Sequence, residues 1–330
     1  MPVTVRSFAK INLGLCIGPS RPDGFHELRT VYQTIGLHDI LRLRLERGSG
    51  IEIRCADRRV PTDQTNTCYR MLELGMSALG AKGRVVLEIE KRLPIQGGLG
   101  GASGNAVSAL LALEVAVKKR LPAGDRLRLA AEVGSDVPLF LVGGTVLGAG
   151  RGEQVYPLAD LPSTPCVIAT PEIGVSTPKA FADWDAAAAK LTLPEPSARM
   201  NGFSREVSAW LSSVPWEKTS KGRCAGAPAR GRGRAETQLL DLVRTGIEND
   251  FERVVFPQYP ALRDVRCALE KAGAAYASLS GSGSAVYGIF ATRGAAEEAS
   301  ARLGKQGIPA QATVTLTRGQ YWKRFPVSSF

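Results

Sequence analysis

Apolar and polar residues alternate with a period of two in VTVRSF at Val3–Phe8. They do so more clearly in ILRLRLE at Ile40–Glu46, where Ile40, Leu41, Leu43 and Leu45 supply the apolar positions. One face of each segment can be buried, which predicts strands there, with further strands at Ile51–Arg54 and RVVLEIE, Arg84–Glu90. Helical spacing takes over in TNTCYRMLELGMSALG, predicting a helix that begins near Thr65 or Asn66 and stops at Gly80. A second helical run, from about Ser103 to Arg120, places Val107, Leu110, Leu111 and Val115 on a face that would pack on a sheet.

DRLRLAAEVG predicts a short third helix ahead of SDVPLF and a glycine-bounded strand, GGTVLGAG. Prolines at 157, 162 and 165 then mark a joint that divides the chain into domains of residues 1–160 and 161–330. Beyond it the pattern predicts a strand at Cys166–Thr170, helices at Pro178–Ala189, Glu236–Arg244 and Ala261–Ala272, and a strand–turn–strand in YASLSGSGSAVYGIF. A helix at Gly294–Leu303 and a strand at Gln311–Leu316 complete the series. Mixed strands and helices in this order argue for two α+β layers, not a parallel βαβ array.

Between the Arg84–Glu90 strand and the following helix lies LPIQGGLGGASGN, Leu93–Asn105. Glycines at 97, 98, 100 and 101 open backbone angles closed to other residues and let a ligand approach the amide N–H groups closely. The free N–H donors and the positive dipole end of the helix face the same loop, which suits a phosphate. A glycine cluster alone is equally compatible with a plain turn. The run is neither G-x-x-x-x-G-K-[ST] nor G-x-G-x-x-G, since Ser103 stands where the latter's third glycine belongs.

Composition narrows the classes. At 330 residues, 44% hydrophobic and 22% charged, the chain is long enough for two cores and has the balance of a soluble protein. No run of about 18 apolar residues predicts a membrane span. MPVTVRSFAKINLGL lacks the apolar core and cleavage site of a signal peptide, so a cytoplasmic location is expected. Six cysteines, at 16, 55, 68, 166, 224 and 267, show no C-x-x-C spacing, and there are two histidines; neither a zinc site nor a disulfide framework is expected. The net charge of +11 raises nucleic acid as a partner, but a local +5 lies in Glu217–Arg234. That segment has no apolar periodicity and no aromatic residue to stack on bases, and reads as a mobile surface insertion more than an RNA-binding arm. The remaining charge suits a protein that handles small polyanions.

Three separated motifs, AKINLGL at Ala9–Leu15, LPIQGGLGGASGNA at Leu93–Ala106 and SLSGSGSAVYGIF at Ser278–Phe290, resemble the signature motifs of the GHMP kinase superfamily in order and spacing. RPDGFHELRTVYQ at Arg21–Gln33 and GSDVPLF at Gly134–Phe140 narrow the resemblance to the branch whose acceptor is a methylerythritol linked to cytidine diphosphate. It covers most of the chain apart from roughly Pro194–Gly246. It implies a two-domain α+β fold: an N-terminal ATP-binding domain like domain 2 of ribosomal protein S5, and a C-terminal ferredoxin-like domain on the substrate side. The implied activity is ATP-dependent phosphorylation of the acceptor's 2-hydroxyl, in the methylerythritol phosphate route to isoprenoids, with ATP as co-substrate and Mg2+. Open alternatives are a GHMP-type kinase for a mevalonate-like or amino-alcohol acceptor, a nucleotide-binding protein that has lost catalysis, and an RNA-binding protein using the basic insertion.

The resemblance also implies roles. Lys10 and Asp136 match the pair at the acceptor hydroxyl: a carboxylate in reach of an alcohol can accept its proton, and a neighbouring ammonium keeps that carboxylate ionised. Phe25, His26, Tyr32 and Phe181 match positions that gather around cytosine. Asn12 matches a contact near the erythritol and phosphate chain, and Thr177 lies in STPKAF, the segment presenting Phe181. Gly97, Gly98, Leu99, Gly100, Gly101 and Ser103 match the triphosphate cradle, with Asn66 and Asn105 as polar contacts. The family usually reads G-G-G-L-G-G-G-S-S-N, whereas this chain has Gln96, Ala102 and Gly104. The missing hydroxyl at 104 is expected to remove a contact to phosphate or hydrated magnesium, and Gln96 to restrict the mouth of the loop. The SGSGS turn is expected beside the site, where free N–H groups form an anion-binding concavity. His38 is expected to be structural. No dedicated metal ligands, no membrane partner and no nucleic acid are expected, and the chain would act as a monomer or homodimer.

Overall fold

The computed structural model describes residues 2–95, 97–190, 194–213 and 234–326. Gln96 and all but the last residue of Glu217–Arg234 lie outside these, and so do the expectations attached to them.

Strands β1 (Val3–Ser20) and β2 (His26–Glu46) pair antiparallel over nearly their whole length. Alternation in the sequence reveals only their outer parts, because the middle of β1 is buried on both faces, polar residues included. β3 (Gly50–Cys55) and β4 (Arg84–Glu90) extend the sheet beside the Ile40–Glu46 half of β2, whereas β5 (Thr145–Ala149) and β6 (Gln154–Pro157) extend it beside Thr30–Gln33. The strand order is β3-β4-β2-β5-β6, with β1 on β2.

Helix α1 (Thr67–Leu79) starts where Asn66 accepts a hydrogen bond from the Cys68 N–H and stops at left-handed Gly80. Helix α2 (Gly101–Val117) begins two residues earlier than its apolar pattern suggests, so part of the glycine run is already its first turn. Its buried surface also differs from the expected stripe. Val107 and Leu110 are buried, Leu111 is half-buried and Val115 is exposed, because α2 is wedged between α1 and the sheet and buries Ala106, Ala109 and Leu113 as well. Helix α3 (Ala123–Val133) follows, and SDVPLF ends in a 3-10 turn at Pro138–Leu141.

The second sheet contains β7 (Pro165–Ala169), β8 (Tyr276–Leu279), β9 (Val286–Ile289) and β10 (Ala310–Val314) in the order β10-β7-β9-β8, all antiparallel. Helices α8 (Pro260–Lys271) and α9 (Arg293–Lys305) cover it, giving the βαββαβ order of a ferredoxin-like layer. Helices α4 (Thr177–Ala188), α5 (Pro196–Ser213), α6 (Arg234–Arg244) and α7 (Glu252–Gln258) occupy the crossover. The final helix, α10 (Arg318–Arg324), returns to the first layer: Tyr321 donates to the Phe140 carbonyl at 2.8 Å and Trp322 to that of Val142 at 3.1 Å.

Candidate active site

The alternation of AKIN along β1 sends Ala9 and Ile11 into an apolar core and Lys10 and Asn12 to the opposite face. On β2, Thr34 opposes Lys10 and Tyr32 opposes Asn12, so all four share that face. Lys10 Nζ donates to Asn12 Oδ1 at 2.6 Å. Asn12 Nδ2 donates to the Thr30 hydroxyl at 2.8 Å, which in turn donates to the Gly14 carbonyl at 2.7 Å. This buried chain fixes both the ammonium and the amide.

Asp136, from the segment before the 3-10 turn, meets them. Its Oδ2 lies 3.3 Å from Lys10 Nζ and its Oδ1 accepts from the Tyr32 hydroxyl at 2.9 Å. Burial first, and then the Asp136 charge, pushes the Tyr32 phenol well above its ordinary pKa, so it remains a proton donor to the carboxylate. Tyr32 lines the same cavity as Phe25, His26 and Phe181, but it is buried and bonded to Asp136, with its ring under Lys10 Nζ at 5.6 Å.

The glycine loop divides two cavities. A cavity of about 330 Å3 on one side is lined by Asn66, Lys91, Gly97 to Ser103 and Asn105, and by the apolar side chains of Val60, Pro61, Ile89 and Ile95. One of about 340 Å3 on the other side holds Lys10, Asn12, Phe25, His26, Tyr32, Asp136, Thr177 and Phe181. Gly98, Gly100 and Ser103 line both. The loop's carbonyls are held from behind: Lys10 N–H donates to Leu99 at 2.9 Å, Ala285 N–H to Gly97 at 3.1 Å and the Ser280 hydroxyl to Gly98 at 3.0 Å. The first-turn N–H groups of α2 have no acceptor within their own helix, which leaves donors for an anion.

Several expected residues carry additional duties. Asn66 lines the first cavity while capping α1, and its Nδ2 donates to Pro61 O at 2.6 Å. Gly104 does not face either cavity: a Cβ there would stand 2.9 Å from Phe8 O and 3.0 Å from Ser7 Oγ. A serine at 104 would therefore point into β1, and its absence removes no ligand contact, contrary to the expectation. Phe181 and His26 stack on one another at 5.0 Å, Phe181 also meets Phe251 edge-on, and His26 Nε2 lies 2.8 Å from Asp185 Oδ1. Phe25 stays half-exposed at the rim. Thr177, the first residue of α4, shares a hydrogen bond with Ser282 of the SGSGS turn at 2.8 Å. His38 accounts for itself structurally, with Nδ1 2.8 Å from Gly36 O and its ring against Phe8. Burial pushes the Cys16, Cys68 and Cys166 thiols up to about 12, as inert core residues. Among the described residues no cluster of histidine, cysteine or carboxylates could hold a metal.

Sequence reasoning missed the braces. Asp39, fully buried, accepts from Lys91 Nζ (2.7 Å), Arg92 N–H (2.7 Å), Leu93 N–H (2.8 Å) and Asn105 Nδ2 (3.0 Å), tying β2 to both ends of the glycine loop. A carboxylate only accepts, so the amide of Asn105 must present Nδ2 to it, and its buried Oδ1 has no partner. Asn249 similarly donates to Leu279 O and Gly281 O, holding the SGSGS turn. Neither residue belongs to a short motif; only the fold brings their partners together. In Asp39→Asn the new amide would point donors at Lys91 and Asn105. Loss of about 1–3 kcal/mol of stability is expected in urea unfolding, with a several-fold rise in KM for the nucleotide and little change for the acceptor.

Comparison with known proteins accords with this geometry. The GHMP kinases N terminal domain family matches residues 66–144 and the GHMP kinases C terminal family residues 234–309. The 4-diphosphocytidyl-2-C-methyl-D-erythritol kinase of Solibacter usitatus is 37% identical over 91% of this chain and 85% of its own length. The chain belongs to the 4-diphosphocytidyl-2-C-methyl-D-erythritol kinase family. A member from Acaryochloris marina is 34% identical over 89% of each chain. A solved structure titled 4-(cytidine 5'-diphospho)-2C-methyl-D-erythritol kinase superposes with a TM-score of 0.69 at 27% identity, covering 94% of this chain and 98% of that one. Homoserine kinase from Cytophaga hutchinsonii reaches the same TM-score at 19% identity and shows the shared fold only. Membership of this kinase family makes the chain an ATP-dependent small-molecule kinase with the two-layer GHMP architecture.

Proposed function

We propose that the protein transfers the γ-phosphoryl group of ATP to the 2-hydroxyl of 4-diphosphocytidyl-2-C-methyl-D-erythritol, a step of non-mevalonate isoprenoid synthesis. The carrying observation is the pair of cavities that meet at Gly98, Gly100 and Ser103, with Lys10 and Asp136 on one side. ATP takes the first cavity, its adenine toward Val60, Pro61 and Ile95, its phosphates over the loop and first turn of α2. The acceptor takes the second, its cytosine toward Phe25, His26 and Phe181.

Asp136 Oδ2 accepts the hydroxyl proton as the oxygen attacks. Tyr32 holds the other carboxylate oxygen, so the base presents one orientation. Lys10, with one donor on Asn12 and one toward Asp136, has a third for a phosphoryl oxygen, where charge accumulates during transfer. Magnesium fits as an ion brought by the nucleotide. Ser103, which lines both cavities, would offer it a hydroxyl, with phosphate oxygens and water expected to complete its shell. When bound it would neutralise phosphate charge. We place the domain joint near residue 160. A cytoplasmic location suits this chemistry, and no helix among the described residues is long and apolar enough to cross a membrane.

The test is transfer from ATP to the cytidyl acceptor and to 2-C-methylerythritol 4-phosphate, which lacks the nucleoside. Transfer is expected with the first at a kcat/KM at least about a hundredfold higher, in keeping with what loss of buried, paired contacts costs in specificity. Equal turnover of the two would remove the cytidyl assignment and favour a simpler polyol acceptor.

A further inference from the structure

Among the described residues, three basic side chains line the acceptor cavity: Lys10, His26 and Arg151. The first two have the partners described above. Arg151 is held differently. It stands in a turn between Gly150 and Gly152, both at positive φ (68° and 109°), and its guanidinium lies 4.7 Å over the Phe25 ring. Its nearest ion pair is Glu153 at 4.0 Å, and its side chain keeps 28% exposure. For a guanidinium with five donors this leaves unused capacity in the cavity wall.

Its position along the acceptor follows from the turn. A Cβ on Gly152 would stand 2.5 Å from the Tyr32 hydroxyl and 3.7 Å from Asp136 Oδ1, so the backbone next to Arg151 rests on Tyr32 and Asp136. The Arg151 side chain meanwhile reaches Phe25, at the aromatic end. A molecule with a base at Phe25 and a hydroxyl at Asp136 must pass Arg151 with whatever joins the two. In the proposed acceptor that joining group is a diphosphate. A base stacking on the covered face of Phe25 would also free the guanidinium to turn toward it.

The geometry points to Arg151 as the specificity-determining residue that binds the acceptor's diphosphate, in charge-assisted hydrogen bonds from its planar fork. This rests on the functional reading above.

The experiment measures binding of cytidine, CMP and CDP by calorimetry, and acceptor and ATP kinetics, for wild type, Arg151→Gln and Arg151→Lys. Wild type is expected to favour CDP over cytidine. Arg151→Gln should shrink that preference by about tenfold to a hundredfold, the range for charged hydrogen bonds, and raise the acceptor KM comparably. Cytidine affinity and the ATP KM should stay within about threefold of wild type. Arg151→Lys should fall between, since an ammonium keeps the charge without the fork. An unchanged CDP-to-cytidine ratio in Arg151→Gln, with wild type transferring phosphate normally, overturns the arginine assignment alone. A wild type that neither binds cytidine or CDP nor phosphorylates the cytidyl acceptor overturns the functional reading and this inference with it.

Discussion

Asp136→Asn is expected to lower kcat for phosphate transfer by roughly a hundredfold to ten-thousandfold, the usual contribution of a positioned general base. The amide keeps the shape of the carboxylate, and its oxygen can still accept from Tyr32. Its NH2, however, would then face the Lys10 ammonium across the 3.3 Å now spanned by an ion pair. It has no basic oxygen for the alcohol proton. Because Asp136 is one-third exposed, the variant should fold. Single-turnover kinetics with binding constants for ATP and CDP would separate the two effects: chemistry slows while affinities hold within a few-fold. Retention of wild-type kcat would refute the assignment of the base.

Gly98→Ala is expected to raise the ATP KM at least about tenfold and to lower kcat with it. Residue 98 has φ +70°, where an alanine costs on the order of 1–2 kcal/mol. More costly is the neighbour, since a Cβ there would overlap the Ser280 carbonyl oxygen and stand 3.0 Å from Gly283 O. Both are backbone atoms of the SGSGS turn, so relief requires moving one loop away from the other, and the surface shared by the two cavities with it. Gly97→Ala supplies the internal comparison: its methyl would meet only side chains, the Pro94 ring at 3.2 Å first, and its effect should be several-fold smaller. Steady-state kinetics in both substrates would check the pair; a Gly98→Ala enzyme with unchanged ATP KM would show that the turn does not brace the loop.

The site was legible where chemistry is written in contiguous residues. Lys10 and Asn12 fall on one face because strand periodicity is two, and the glycine loop between β4 and α2 follows from its composition. Asp39 and Lys91 were not legible, since a pair separated by 52 residues depends on how β2 lies beside β4. The same holds for Arg151, whose relation to Asp136 passes through Tyr32 and a glycine with no side chain. Some missed elements did carry a signal. Met200, Phe203, Val207 and Trp210, all buried, have the 3-4-3 spacing of α5, and Thr317 with Gln320 forms the capping box of α10. Helix α7 lacked one, being short and interrupted by Pro257. The hydrogen bond from the Tyr32 hydroxyl to Asp136 was not legible either, because the two residues are 104 positions apart.

The return of the last helix to the first layer has a consequence for modularity. Tyr321 and Trp322 hold the carbonyls of Phe140 and Val142, and the Phe140 ring is what a side chain at Gly100 would strike, at 2.9 Å. Helix α10 therefore backs the wall on which the nucleotide phosphates would rest. A cut at the joint proposed near residue 160 would not yield two interchangeable parts. Any hybrid that grafts this ATP-handling layer onto a different acceptor layer would have to carry residues 318–324 with it, although they follow the second sheet in the sequence.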